Sequence, residues 1–183
     1  HKAKQLQKEY NDTQSDDIEK LSSLLDDLIG SRGENVWISA PFFVDYGKNI
    51  HIGRNVEINM NCVFLDCNTI TIGDYSGIGP GVHIYTVFHH TAPQERLGEN
   101  SSFWKSLTKP VNIGKNVWIG GGSIILPGVT IGDGTTIGAG SVVTKSIPAN
   151  CIAVGNPCKV IYDNTLNFVT TRFRVLSYIY LPL

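Results

Sequence analysis

The chain has 183 residues, of which 42% are hydrophobic and 17% are charged, and its formal net charge is −1. Such a balance gives no electrostatic attraction to nucleic acid or to an anionic membrane surface, so both are excluded as partners. Nineteen glycines against one methionine indicate many tight backbone corners and argue against a helical bundle.

Residues 1–30 are predicted to be a helical segment. Apolar residues recur there at the spacing of one helix face, at Tyr10, Ile18, Leu21, Leu24, Leu25 and Leu28. Ser15, followed by two aspartates, is typical of a helix start, and Gly30 is typical of a stop. We therefore expect a short N-terminal helix that packs on the domain after it.

The most regular pattern is a six-residue repeat. From Val111 the sequence reads VNIGKN, VWIGGG, SIILPG, VTIGDG, TTIGAG and SVVTKS, with a large aliphatic residue at each third position. An earlier block holds this frame from Ile52 to Ile70, slips by two residues, and resumes at Ile72. A period of six fits neither a helix nor a simple two-residue ladder, but it fits a short strand followed by a corner.

Residues 31–161 are therefore predicted to form an all-β domain, a parallel β-helix of hexapeptide repeats. Three strand-and-corner units would close a triangular coil of about 18 residues, and successive coils would stack at strand spacing. Positions one and three of each hexad share a face and are predicted to point inward. A β-sandwich is the alternative, but sandwich strands do not hold a fixed six-residue frame through consecutive units.

Two segments do not keep the repeat. Residues 88–109 are polar and aperiodic, begin near two histidines, and contain Phe103 and Trp104. Insertions of this length in a solenoid are typically functional or disordered, and we predict an extruded loop that covers a site. Residues 162–183 form a predicted tail that is apolar and aromatic from Phe168. Both a strand and an arm docked on a neighbour remain open for it.

The cysteines and the lack of targeting signals bear on location. Cys62, Cys67, Cys151 and Cys158 match no zinc-site spacing and are interpreted as small fillers in a reduced compartment. The sequence shows neither a signal peptide nor an apolar run long enough to cross a bilayer, so a cytoplasmic location is expected.

A set of motifs between Tyr10 and Ile161 points to one family. The stretches are Asp45-Tyr46-Gly47, Asn49-Ile50-His51-Ile52-Gly53, Asn59 to Asp66, Ile84-Tyr85-Thr86, Asn116-Val117-Trp118-Ile119-Gly120, Gly138 to Lys145, and Ala153-Val154-Gly155-Asn156-Pro157. Together they resemble the hexapeptide-repeat acyltransferases, specifically the maltose and galactoside O-acetyltransferases.

The resemblance implies a left-handed β-helix and a homotrimer with its active sites between subunits. It also implies acetyl-CoA as the donor and a hydroxyl of a small sugar or sugar-like molecule as the acceptor. The family usually carries a further N-terminal helix before the region that matches Tyr10, and we expect this sequence to lack it.

Acetyl transfer to an alcohol needs a base for the hydroxyl proton, and histidine titrates in the suitable range. Aligning Tyr85-Thr86 with the family motif places His89 on the catalytic histidine. His90 then stands where the family has proline, which makes the start of the loop less rigid. His89 is the predicted general base for direct transfer in a ternary complex, and His90 is its local rival.

The resemblance also assigns candidate contacts for both substrates. Asp45, Asn59 and Asp66 are the candidates for the acceptor, although Asn59 is equally interpretable as a corner residue in the left-handed region. The candidates for acetyl-CoA are Trp118, Gly121, Ala139, Thr144, Lys145 and Lys159. The lysines suit the phosphates of the nucleotide. Interface packing for Trp118 and a solvated surface position for Lys159 remain open.

Three other functions are retained as alternatives. One is an acetyltransferase for serine, an antibiotic or an amino-sugar. A second is a γ-class-like metal hydratase with zinc on His51, His83 and His89, although the expected H-x4-H spacing is missing. The third is a non-catalytic β-helix module. Acetyl transfer itself leads us to expect no metal ion.

Overall fold

A computed structural model describes residues 2–97 and 103–163 of the chain. The predicted tail from residue 164 onward, and the middle of the predicted loop at residues 98–102, lie outside the described residues.

The N-terminal segment forms two helices, where the sequence predicted one. These are α1, Lys2–Asp12, and α2, Ile18–Leu28. The predicted helix is α2: it buries its four leucines, and Asp17 caps it by accepting a hydrogen bond from the backbone N–H of Lys20 at 3.2 Å. Helix α1 was not predicted, because it is strongly polar and buries only Tyr10. No helix in the described part of the chain is long and apolar enough to span a membrane.

The chain then winds into a parallel β-helix with three sheets, which we call A, B and C. Sheet A contains β1 Ser31–Arg32, β4 Ile50–Ile52, β7 Ile70–Ile72, β12 Val111–Ile113 and β15 Thr130–Ile131. Sheet B contains β2 Trp37–Ile38, β5 Glu57–Ile58, β8 Gly77–Ile78, β13 Trp118–Ile119, β16 Thr136–Ile137, β18 Cys151–Val154 and β19 Lys159–Asp163. Sheet C contains β3 Phe42–Val44, β6 Cys62–Leu65, β9 His83–Tyr85, β14 Ile124–Ile125 and β17 Val142–Val143.

Strands follow one another in the order A, B, C, and neighbours within each sheet pair in parallel. The exception is β19, which returns antiparallel on β18. The predicted parallel β-helix is therefore confirmed. Between β9 and β12 the chain leaves the helix as an antiparallel hairpin of β10, Val87–His89, and β11, Ser106–Thr108, with a short helix α3, Pro93–Arg96, between them. This hairpin occupies the predicted extruded loop.

The length of a coil differs between the two halves of the domain. In the second half Trp118 pairs with Thr136, an advance of 18 residues, as predicted. In the first half Ile50 pairs with Ile70, an advance of 20 residues, so the prediction of 18 is wrong there. The corner after sheet C carries the two additional residues in each of these coils, and this is the origin of the two-residue slip in the sequence.

The inward side chains form a continuous core. Positions one and three of the second block are all at most 3% exposed, at Val111, Ile113, Val117, Ile119, Ser123, Ile125, Val129, Ile131, Thr135, Ile137, Ser141 and Val143. Burying one such aliphatic side chain contributes roughly 1.5–3 kcal/mol. The hydroxyls among them donate to corner carbonyls, as Ser123 does to Gly120 at 2.7 Å. The predicted inward face is confirmed.

Helix α1 covers the open edge of sheet C. The Asn11 side chain accepts from the N–H of Phe42 at 2.9 Å and donates to its carbonyl at 3.0 Å. The Gln7 side chain accepts from the N–H of Val44 at 2.8 Å, and Lys4 donates to the Val44 carbonyl. These side chains replace the strand that would otherwise pair there, and an unpaired edge strand is a site of aggregation.

The outward faces of sheets A and C differ in character. Sheet A presents polar side chains at its outward positions, namely Ser31, His51, Thr71, Asn112 and Thr130. Sheet C presents mostly apolar ones, namely Phe43, Val63, His83, Ile124 and Val142. Of these two faces, that of sheet C is therefore the one with apolar surface left to bury.

Candidate active site

The candidate residues lie on two different edges of the β-helix. The corners that follow sheet C form the C–A edge, which carries Asp45, Asp66, His89, Thr144 and Lys145. The corners that follow sheet B form the B–C edge, which carries Asn59, Gly121, Ala139 and Lys159, with Trp118 on the adjoining outer face of sheet B. Sheet C separates the two edges, and about seven residues at 3.3 Å each make it roughly 20 Å wide. Within one chain the two groups do not meet.

His89 lies at the exposed end of β10, opposite Ser106 of β11. Its Nδ1 is 3.0 Å from the backbone carbonyl oxygen of Lys105. A carbonyl can only accept a hydrogen bond, so this contact requires a proton on Nδ1, and in the neutral ring the lone pair is then on Nε2. The ring also packs edge-on against Trp104, with the ring centroids 5.2 Å apart. His89 is thus held as the tautomer that a base needs.

His90 is engaged in a different way. Its Nδ1 is 2.9 Å from Oε2 of Glu95, so its ring contacts the short helix α3. Its carbonyl accepts from Nε of Arg96 at 3.0 Å, and the carbonyl of Thr91 accepts from Nη2 of Arg96 at 3.0 Å. We expected a less rigid start of the loop without a proline, but side-chain hydrogen bonds hold this backbone in place.

Asp45 is a half-buried carboxylate with two side-chain neighbours. Its Oδ1 is 3.7 Å from Nζ of Lys4 on α1, and its Oδ2 accepts from the thiol of Cys67 at 3.5 Å. Burial, together with the nearby carboxylates of Asp45 and Asp66, raises the pKa of the Cys67 thiol to about 11. The thiol therefore stays protonated near neutral pH, as a donor to Asp45 and a poor nucleophile.

Asp66 is fully buried, with 0% exposure. One of its oxygens accepts from the backbone N–H groups of Asp45 at 3.0 Å and Tyr46 at 2.8 Å, and the other accepts from Asn49 at 3.3 Å. The contact of Asp66 with an acceptor stays a prediction, and this arrangement does not favour it, because both oxygens face the interior of the corner. Its role is to hold the backbone that presents Asp45.

Asn59 is half-exposed on the B–C edge. It does not adopt the left-handed backbone; its neighbour Asn61 does, with φ of 61°. The interpretation of Asn59 as a left-handed corner residue is therefore wrong. Its side-chain oxygen accepts from the N–H of Met60 at 2.8 Å, which orients the amide at the surface of the edge.

Four of the six candidate acetyl-CoA residues form a track along the same edge, namely Trp118, Gly121, Ala139 and Lys159. Gly121 and Ala139 stack in successive coils, and the N–H of Gly140 donates to the carbonyl of Gly121 at 2.9 Å. The backbones are packed closely here, since a Cβ on Gly120 would lie 2.5 Å from the backbone nitrogen of Ala139. Beside them, Trp118 is 52% exposed, an unusual fraction for so large an apolar side chain.

The candidates for the phosphate end of acetyl-CoA are exposed, namely Thr144, Lys145 and Lys159. Thr144 and Lys145 follow the last strand of sheet C, and Lys159 begins the antiparallel strand β19. Thr144 and Lys145 lie on the C–A edge and Lys159 lies on the B–C edge, so the candidates for acetyl-CoA are also divided between the two edges of one chain. A single chain therefore presents two separate groups of candidate residues, which we call half-sites.

Some contacts could not have been predicted from the sequence. Lys4 and Cys67 meet Asp45 across long sequence separations, and no local pattern signals this. Lys105 acts through its carbonyl, so its side chain carries no signal. Trp104 was noticeable in the sequence as an aromatic residue in a polar loop. Its contact with His89, however, depends on the register of the hairpin.

No three His, Cys, Asp or Glu side chains come together as a metal-binding group within residues 2–97 and 103–163. Two histidines of the hydratase alternative lie on different faces: His51 on sheet A, with Nδ1 2.8 Å from Oγ of Ser31, and His83 on sheet C, with Nδ1 2.6 Å from the Tyr85 hydroxyl.

Comparison with known proteins places the chain among acetyltransferases. Residues 110–145 match the family model "Bacterial transferase hexapeptide (six repeats)". The chain is 45% identical over 163 residues to galactoside O-acetyltransferase of Escherichia coli K12, covering 88% of this chain and 77% of that protein.

Solved structures give the same result. A galactoside acetyltransferase in complex with coenzyme A superposes with a TM-score of 0.84 at 42% identity, covering 89% of this chain and 79% of that one. A maltose O-acetyltransferase from Clostridium difficile 630 also superposes with a TM-score of 0.84, at 48% identity over 88% of this chain and 84% of that one.

Proposed function

This chain belongs to the hexapeptide-repeat acyltransferases, and from that membership we propose that it transfers an acetyl group from acetyl-CoA to a hydroxyl of a sugar or sugar-like acceptor. The similarity to galactoside and maltose O-acetyltransferases supports the reaction and the class of acceptor. The coenzyme A bound to one of the similar structures supports the donor.

The observation that carries the proposal is the tautomer of His89. The Lys105 carbonyl holds the proton on Nδ1, so Nε2 is free to accept the proton of an acceptor hydroxyl. As the oxygen attacks the thioester carbon, the C–O bond forms and the proton moves to Nε2. When the C–S bond breaks, the imidazolium returns this proton to the departing sulfur, and the enzyme regains its starting state.

Transfer is direct, without an acetyl-enzyme. The cysteine nearest the proposed acceptor contacts, Cys67, has a thiol pKa of about 11 because it is buried beside carboxylates, so its thiolate is scarce. A coenzyme A thiolate is a good leaving group, and one base is sufficient. The Asn59 amide is the proposed donor to the oxyanion, and Asp45 is the proposed acceptor of a sugar hydroxyl.

Acetyl-CoA is proposed to lie along the B–C edge of one subunit. The exposed ring of Trp118 flanks the pantetheine arm, and the small residues Gly121 and Ala139 leave room for it. Lys159 on the same edge meets the phosphate end, where cations are needed, and Thr144 and Lys145 reach it from the C–A edge of the adjacent subunit.

The division of these residues between two edges supports a homotrimer. Sheet C has an apolar outer face and is bounded by the B–C edge on one side and the C–A edge on the other. If three copies turn sheet C toward a common axis, the B–C edge of each copy meets the C–A edge of the next. His89 of one subunit then faces the acetyl-CoA track of its neighbour.

An acceptor screen tests the proposed function. We expect acetyl-CoA to release free thiol at a rate that depends on added mono- or disaccharide, and the product to carry one acetyl ester by mass spectrometry. Serine, an amino-sugar and an aminoglycoside should be slower by at least about tenfold in kcat/KM, because the proposed contacts at Asp45 and Asn59 are to ring hydroxyls of a neutral sugar, which serine lacks and which the other two replace in part by ammonium groups. Thiol release with an amine acceptor alone would contradict the assignment to sugars.

A further inference from the structure

The arginine of helix α3 ties the two sides of the extruded hairpin together. Arg96 is half-buried in a loop whose other described residues are mostly exposed. On the outgoing side its Nε and Nη2 donate to the carbonyls of His90 and Thr91, both at 3.0 Å. On the returning side its guanidinium lies over the ring of Trp104, 5.0 Å from the centroid.

Backbone contacts also link the two sides of the hairpin. The N–H of Lys105 donates to the carbonyl of Arg96 at 2.7 Å, and Leu97 forms an antiparallel bridge with Trp104. Trp104 and Lys105 are thereby fixed relative to the start of the loop.

Trp104 and Lys105 are the residues that contact His89. The Lys105 carbonyl accepts from Nδ1, and the Trp104 ring packs against the imidazole edge. His89 is exposed at the end of β10, outside the packed interior of the β-helix, so the core does not restrict its side chain. Its orientation depends on the returning strand, and the returning strand depends on Arg96.

We propose that Arg96 is a positioning residue for the general base: it holds Trp104 and the Lys105 carbonyl where they orient His89 and keep the proton on Nδ1. The inference rests on the proposed function, in which His89 is the base. Arg96 acts through His89 and does not touch the acceptor or the donor.

The charge and shape of arginine suit this role. Its planar guanidinium donates in a fixed fork while its face stacks on an aromatic ring, and lysine reproduces neither the fork nor the stacking. A glutamine at this position would keep part of the polarity and lose the link between the two sides.

The test compares Arg96→Gln and Arg96→Lys with a matched control, Arg54→Gln. Arg54 also lies over an aromatic ring, 5.6 Å from the centroid of Tyr75, but it is on the edge between sheets A and B, away from both half-sites. We expect Arg96→Gln to lower kcat by about 10- to 50-fold with less than about a twofold change in the KM for acetyl-CoA. Arg96→Lys should lose about three- to tenfold, and Arg54→Gln should stay within about twofold.

A double-variant cycle separates positioning from a general structural effect. If Arg96 acts through the base, Arg96→Gln introduced into His89→Ala should cause no further loss of activity. In parallel, ¹⁵N spectra of the imidazole should show His89 protonated at Nδ1 in the unaltered protein and as a mixture of tautomers in Arg96→Gln.

The inference is overturned if Arg96→Gln retains full kcat, if its loss is undiminished in the His89→Ala background, or if the His89 tautomer is unchanged. Failure of the proposed function gives a different result, because His89→Ala itself would then remain active. A variant that unfolds is recognised by its melting temperature, and the tautomer and kcat of Arg96→Lys then decide the outcome.

Discussion

Replacing His89 by alanine is expected to lower kcat for acetyl transfer by at least about 100-fold, because it removes the proposed acceptor of the hydroxyl proton. The side chain is exposed at the end of β10, so the β-helix should keep its stability, and the melting temperature should change by less than about 2 °C. The KM for acetyl-CoA should stay unchanged, since none of the proposed contacts to the donor involves the His89 side chain. Steady-state kinetics with thiol detection measures both quantities.

His90→Ala is the matched control for this result. It removes an adjacent imidazole that is bound to Glu95, and we expect activity within about threefold of the unaltered protein. Full activity in His89→Ala together with loss in His90→Ala would move the base to His90.

Placing a charge on the outer face of sheet C is expected to dissociate the assembly and abolish activity. Ile124 points outward there, between His83 and Val142 of the neighbouring strands, and is half-buried even in a single chain. In Ile124→Glu, an unpaired carboxylate would be desolvated at the subunit contact, at a cost of several kcal/mol for each copy. Light scattering after size exclusion should give the mass of a single chain, with activity below about 1%.

Thr130→Glu, on the next strand along the chain, is the control. Thr130 points outward from sheet A and is exposed, so the same charge there should leave both mass and activity unchanged. A trimeric and active Ile124→Glu, or a dissociated Thr130→Glu, would contradict the assignment of sheet C to the interface.

The β-helix was predictable because its core repeats in the sequence. Each coil presents the same inward positions to its neighbours. The six-residue spacing of Ile113, Ile119 and Ile125 is therefore enough to predict that all three are buried. Even the 20-residue coils left a trace, in the slip between Ile70 and Ile72. The hand of the coil has no such trace in periodicity, and its prediction came from the family resemblance.

Features that depend on contacts between distant residues were not predictable. Helix α1 has a weak apolar face because it packs on a strand edge through polar side chains. Gln7 and Asn11, for example, accept hydrogen bonds from the backbone of β3. Asp66 matched a family position, but a sequence does not show whether a carboxylate faces solvent or its own backbone. The network of Arg96, Trp104 and His89 likewise requires the register of the hairpin.

The candidate site was predicted as a set of residues, and the structure adds their division between two edges. This division follows from the topology, since residues after sheet B and residues after sheet C leave the prism at different corners. The proposed mechanism therefore requires that each active site join the C–A edge of one subunit to the B–C edge of another.

Complementation between two inactive variants tests that claim most directly. His89→Ala disables the C–A edge, and Ala139→Trp fills the proposed acetyl-CoA track on the B–C edge at an exposed position. Each homotrimer should be nearly inactive, while trimers assembled from an equal mixture should regain about a quarter of full activity, because one contact in four then pairs two intact edges. Mixed trimers that form but stay inactive would contradict a site shared between subunits.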